Sequence, residues 1–125
     1  MQVRVLIVDD QESFRAAARE VIRATEGFEL AGEAASGEES LTAVGRLHPH
    51  LVLMDVNLPG MDGIEASHRI RVEHSEVVVF LLSTYDQAEF AGRIASSGAS
   101  TFIPKAVFSP ERLNEEWQRS VRRIG

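Results

Sequence analysis

Charged and hydroxyl side chains in this sequence follow apolar runs that would ordinarily end on groups easier to solvate. Asp9 and Asp10 close the run Val3 to Val8, and Asp55 closes Leu51 to Met54. Ser83 and Thr84 follow the unbroken run Val77 to Leu82, and Lys105 follows the stretch Ser100 to Ile103 and Pro104. Only five aspartates occur, with Asp62 and Asp86 the other two, whereas fourteen glutamates are spread through segments that read as helix or exposed strand. Carboxylates brought together without a partner repel and lose solvation. A hard divalent cation with oxygen ligands resolves the conflict. Mg2+ fits, because it takes one or two carboxylates and keeps positions for water or phosphate oxygens. A cation, a carboxylate, a hydroxyl and an ammonium around one point make a site for a phosphoryl group. Asp55 is the candidate nucleophile, as the sole acid on its strand.

That convergence requires a particular set of elements. Val3 to Val8 reads as a buried strand. Phe14, Ala17, Ala18, Val21 and Ile22 then recur on one helical face, and Gly27 stands past the helix end. Phe28 to Ala34 alternates as a more exposed strand. Ser36 and Glu39 form a capping box for a helix carrying Leu41, Val44 and Leu47, which His48-Pro49 stops. Leu51 to Met54 is the third strand, followed by a loop and a helix from about Gly63 to Val72. Val77 to Leu82 is a strand covered on both faces. Asp86 and Glu89 predict the start of a fourth helix through Phe90 and Ile94, ending near Gly98. Ser100 to Ile103 is the last strand. Ser109-Pro110 opens a final helix with Leu113, Trp117, Val121 and Ile124.

Five strands alternating with five helices imply a parallel sheet covered on both faces, as a single α/β domain over residues 1–125. Right-handed crossovers put every strand-to-helix loop on one edge of the sheet. Pro104 suits an edge strand, and hence the order 2-1-3-4-5. Ligands then bind beyond the carboxyl ends of the strands, at the switch between the first and third. That is where Asp9, Asp10 and Asp55 would meet.

Composition narrows the functions. The net charge of −6 argues against nonspecific nucleic-acid or anionic-membrane binding, and the absence of cysteine excludes thiol chemistry. No apolar run approaches the roughly 18 residues of a membrane span, and MQVRVLIVDD lacks a cleavable-signal pattern, which points to the cytoplasm. Simpler readings account for other residues. Asp9 and Asp10 could instead cap the first helix, and Asp86 suits a cap. Asp62 fits a Met-Asp-Gly turn, and Gly60 and Gly63 need only backbone freedom there. His48, His50, His68 and His74 lack ligand spacing with the acids and read as surface residues, while Trp117 reads as core or a partly exposed helix face. Arg119, Arg122 and Arg123 suit the C-terminus of the last helix through its dipole.

The combination of VLIVDDQ, LVLMDVNLPGMDGIE and GASTFIPK resembles the receiver domain of bacterial two-component response regulators, over essentially the whole chain. The resemblance implies a flavodoxin-like fold with Asp55 as phosphoacceptor, served by a sensor histidine kinase or a small acyl phosphate. It implies Mg2+ held by Asp10, Asp55 and the Asn57 backbone carbonyl, with Asp9 assisting through water, and Lys105 on the phosphoryl oxygens. The switch hydroxyl matches Ser83, fifteen residues before Gly98, with Thr84 as the adjacent alternative. The aromatic that turns inward on activation matches Phe102. Pro104 departs from the family, which more often has proline after the lysine. Asn57 and Tyr85 match positions that tune hydrolysis, and bulky Tyr85 implies slow water attack.

The expected function is therefore a phosphorylation switch without substrate turnover, altering a partner or homodimer contact. The sequence is most similar in style to regulators with helix-turn-helix outputs, which implies transcriptional control through a domain outside this chain. A stand-alone receiver is the alternative. An Mg2+-dependent aspartyl-nucleophile phosphohydrolase is the rival from another class, but it would want an aspartate where Asn57 stands.

Overall fold

The computed structural model of the chain describes residues 2–84 and 91–124. The strands are β1 (Val3–Val8), β2 (Phe28–Ala34), β3 (Leu51–Asp55), β4 (Val78–Ser83) and β5 (Thr101–Pro104). The helices are α1 (Glu12–Ala24), α2 (Gly37–Leu47), α3 (Gly63–Glu73), α4 (Ala91–Ser97) and α5 (Pro110–Ile124), with a 3-10 turn at Lys105–Val107. The strands form one parallel sheet in the order 2-1-3-4-5, as expected from the sequence. Asp86, Glu89 and Phe90, expected to open α4, lie outside the described residues, as does Tyr85.

The buried strands divide their side chains between two cores by the period of two of extended backbone. Val5, Ile7, Leu51, Leu53, Val78, Phe80, Leu82 and Ile103 face one layer, with Ala18 and Ile22 of α1 and Leu113 of α5. Leu6, Val8, Val52, Met54, Val79, Leu81 and Phe102 face the other, with Val44 of α2 and Ile64, Ala66 and Ile70 of α3. Burial on both faces explains why these strands read as unbroken apolar runs. Trp117 stands edge-on to Phe28, with ring centroids 6.2 Å apart, and closes the first core beside the start of β2.

Helix ends follow their sequence signals. The Glu39 N–H donates to Ser36 Oγ at 3.0 Å, and the Arg112 N–H donates to Ser109 Oγ at 3.1 Å. His48 closes α2 in a left-handed conformation, at φ 49°. Four expectations are revised. Ala17 is exposed, because α1 buries a narrower stripe centred on Ala18 and Ile22. Neither Asp9 nor Asp10 caps α1: the cap position is Gln11, without a side-chain bond. β4 and β5 each begin and end one residue later than expected, so Ser83 pairs in register with Pro104 on the edge strand. His50 is not a plain surface residue, since its Nδ1 accepts the Arg4 N–H at 2.9 Å and ties β1 to the start of β3.

Candidate functional site

The sheet edge gathers the acids from both sides of the β1/β3 switch. The Asp9 N–H donates to the Ala34 carbonyl at 3.1 Å, extending the β1–β2 pairing one residue past β1. This holds the Asp9 side chain inside, 1% exposed, while Asp10 is exposed. Asp55 is the last residue of β3 and 5% exposed. One carboxylate oxygen from each of Asp9, Asp10 and Asp55 lies within 4.8 Å of the others.

Lys105 opens the 3-10 turn after β5 and reaches back across the edge. Its Nζ lies 2.6 Å from Asp9 Oδ2 and 3.5 Å from Asp55 Oδ1. The other Asp9 oxygen, Oδ1, accepts the Gln11 N–H at 2.9 Å. Asp9 therefore has both oxygens engaged. The lysine ammonium also lies 4.4 Å from the centroid of the Phe14 ring, on the first turn of α1.

Burial pushes the Asp55 carboxyl up from its ordinary 3.8 to about 6, and the negative charge of Asp9 adds to the rise. Lys105 and the Asn57 N–H, 3.4 Å from Asp55 Oδ1, oppose that shift without cancelling it. Three carboxylate oxygens within 4.8 Å of one another, one of them on a carboxyl that burial and the Asp9 charge hold above its ordinary pKa, are a donor set that fits a hard divalent cation.

The loop after β3 is fixed from three sides. The Val56 N–H donates to the Leu82 carbonyl and the Gly63 N–H to the Val56 carbonyl, both at 2.9 Å. Gly63 packs so tightly that an added Cβ would meet the Asp55 carbonyl oxygen at 1.9 Å. Space, rather than backbone freedom, is thus what requires glycine at Gly63. Gly60 does take a left-handed φ of 73°. Asp62 has more than a turn role: it caps α3, accepting the Glu65 N–H at 2.9 Å, and pairs with Arg93 of α4 at 2.6 Å. Burial raises its carboxyl, but the Glu65 N–H and the Arg93 guanidinium outweigh this and leave it below its ordinary value.

Ser83 is fully buried at the end of β4, and the Asn57 Nδ2 donates to its Oγ at 3.3 Å. Thr84 is exposed. Phe102 is 8% exposed, within the core shared with α2 and α3. The structure thus brings Asp9, Asp10, Asp55 and Lys105 together and links Asn57 to Ser83, while Phe102 stands inside the core. From the sequence Phe14 reads only as a core residue, and nothing there points to Arg93. A phenyl four residues after Asp10 is the available signal for the first. Arg93 carried none, because its partner is 31 residues away.

An ion network flanks the site. Arg15 donates to the Asp9 carbonyl at 2.6 Å and pairs with Glu33 and Glu12, and Arg19 pairs with the same two glutamates. The hydrogen bonds from Arg19 and Arg15 hold the Glu12 carboxyl below its ordinary value.

Residues 5–118 match the family model described as the response regulator receiver domain. The response regulator GacA of Pseudomonas protegens is 34% identical over 103 residues, covering 82% of this chain and 48% of that protein. A protein-glutamate methylesterase/protein-glutamine glutaminase of Alkalilimnicola ehrlichii is 39% identical over 106 residues, covering 84% of this chain and 27% of that protein. The chain thus spans about half, or less, of the length of these curated relatives. A LuxR-family two-component response regulator from an Aurantimonas species superposes with a TM-score of 0.83 at 29% identity, covering 92% of this chain and 81% of that one. The signal receiver domain of the NarL response regulator from Mycobacterium tuberculosis shares the fold, with a TM-score of 0.86 at 24% identity and 97% of each chain covered. Sheet order, acidic edge and family match agree: the chain belongs to the receiver domain family of two-component response regulators.

Proposed function

We propose that Asp55 accepts a phosphoryl group from a sensor histidine kinase, or from a small acyl phosphate, and that the modified site biases a conformational equilibrium. One observation carries this reading: Asp55 is a buried carboxylate within 4.8 Å of two other acids, with Lys105 Nζ 3.5 Å away. In the transfer, an Asp55 carboxylate oxygen attacks phosphorus and a P–O bond forms. The P–N bond to the donor imidazole breaks, and its electron pair leaves with the imidazole. Asp55 must be ionised to attack, which at neutral pH it is, about one unit above its shifted pKa.

Asp10, Asp55 and the Asn57 backbone carbonyl would hold Mg2+, with Asp9 acting through water, because both Asp9 oxygens already have partners. When bound, Mg2+ offsets the negative charge of the carboxylates and the incoming phosphoryl oxygens. Lys105 supplies a second cation to those oxygens. Ser83 supplies the hydroxyl, in preference to Thr84, since the Asn57 amide already reaches Ser83 Oγ. A phosphoryl group adds ~−1.5 to −2 charge and new acceptors, enough to draw the lysine and the hydroxyl inward. Because Phe102 is already buried, the response there is a shift in the weight of existing states rather than a large ring swing.

The consequence is a changed partner or homodimer contact, not steady turnover of a substrate. Transcriptional control through an output domain, in the cytoplasm and without direct nucleic-acid contact by this domain, is the setting we infer. The experiment is mass spectrometry after treatment with acetyl phosphate and Mg2+. One phosphoryl addition in wild type and none in Asp55→Ala is expected; equal addition in both removes Asp55 from the role.

A further inference from the structure

We propose that Phe14 is a positioning residue for phosphoryl transfer, its ring face holding the Lys105 ammonium between Asp9 and Asp55. This rests on the reading of Asp55 as the phosphoacceptor. Lysine carries its charge on a flexible four-carbon stem, so an ammonium at a defined point needs walls as well as counterions. Here the carboxylates supply one side: Asp9 Oδ2 at 2.6 Å and Asp55 Oδ1 at 3.5 Å. The Phe14 ring supplies another, its centroid 4.4 Å from Nζ. The lysine side chain is only 12% exposed, and this loss of water strengthens attraction to the negative face of the ring.

The ring is itself held. Phe108 packs against Phe14 with centroids 6.2 Å apart and planes at 42°. The Phe108 N–H donates to the Lys105 carbonyl at 3.3 Å, so the backing ring belongs to the turn that carries the lysine. Lys105, Phe14 and Phe108 therefore form one packed unit joining α1 to the segment after β5. The choice of a ring rather than a third hydrogen-bond acceptor has a chemical consequence. To serve a phosphoryl group, the ammonium must release Asp9 and turn to new oxygens. An aromatic face attracts the cation without a directional bond, so the ammonium can pivot while it stays out of water. An aliphatic side chain of similar volume would fill the space and offer no such attraction.

The test compares wild type, Phe14→Leu, Phe14→Met and Phe14→Tyr, each with Lys105 and with Lys105→Ala. Asp55 phosphorylation by acetyl phosphate with Mg2+ is followed by intact-mass spectrometry across donor concentrations. Loss of the ring should slow the saturating rate by ~3- to 10-fold, with the half-saturating donor concentration little changed. Tyrosine, which keeps the ring face, should restore the rate. With Lys105→Ala the Phe14 substitutions should have no further effect, because the ring acts through the lysine. Thermal melts identify folded variants, and methionine stands in should leucine unfold the helix contact.

A second readout needs no phosphoryl chemistry. The Lys105 ε-methylene protons should show a ring-current shift in wild type and in Phe14→Tyr, lost in Phe14→Leu. Wild-type rates in folded Phe14→Leu, or equal slowing on top of Lys105→Ala, overturn the positioning role. A ring-current shift alongside unchanged phosphorylation in Asp55→Ala instead overturns the phosphoacceptor reading, and the positioning role in transfer falls with it.

Discussion

At the scale of single residues, the buried carboxylate of Asp55 costs the fold stability. Its carboxyl titrates near 6 in the fold against 3.8 ordinarily, so the folded chain binds the proton more tightly than the unfolded chain does. The sign follows from linkage: the stabilisation by this proton is complete below pH 3.8 and is lost as pH rises through about 6. In the absence of divalent cations, Asp55→Asn should match wild type near pH 4 and exceed it by about 2–3 kcal/mol above pH 7. Urea unfolding across that range, with chelator present, checks this. A gain independent of pH would show that the carboxylate is not the source.

At the scale of elements, the loop between β3 and α3 is clamped at its far end by contacts that leave no slack. Gly63→Ala would drive a methyl into the Asp55 carbonyl, so either α3 or the end of β3 must move. A loss of about 1–3 kcal/mol is expected in denaturant unfolding, as for other overpacking changes. Phosphorylation should slow as well, because the displaced backbone is that of Asp55. Asp62 separates two effects in the same loop. Asp62→Ala removes both the α3 cap and the Arg93 pair, and about 0.5–2 kcal/mol should be lost. Asp62→Asn keeps a capping oxygen and loses only the ion pair, which joins half-exposed groups, and should cost well under 1 kcal/mol. Thermal or urea unfolding of the two variants tests that division.

At the scale of the whole molecule, two helical layers press on one sheet, and the site occupies the edge where β1, β3 and β5 end. Any ligand that neutralises this edge should stabilise the entire fold by mass action. With Mg2+ at 100 times its dissociation constant the gain should be about 2.7 kcal/mol. Melting temperature followed against Mg2+ should therefore rise in wild type and stay nearly level in Asp10→Ala, whose exposed carboxylate is the one most available to the metal. Calcium or chelator controls separate a site-specific effect from ionic strength. Equal rises in both proteins would move the cation elsewhere.

What the sequence determined by itself was the sheet and the identity of its acidic edge. Unbroken apolar runs such as Leu51 to Met54 and Val77 to Leu82 specify strands covered on both faces. Alternation with helical segments specifies parallel pairing, and parallel pairing sends Asp9, Asp10, Asp55, Ser83 and Lys105 to one edge. Local signals also predicted the caps at Ser36 and Ser109, because a cap depends on neighbours within a turn. Only tertiary structure decided the contacts between residues far apart in the chain. Asp9, rather than Asp55, takes the short bond from Lys105 across 96 residues. Gly63 is required by the approach of the Asp55 carbonyl, and Asp62 meets Arg93 of another helix. The Phe14 ring, legible only as one apolar position on a helix, faces the lysine of the site. Periodicity reports which face of an element is buried; which atom on that face meets which partner is set by how the layers pack.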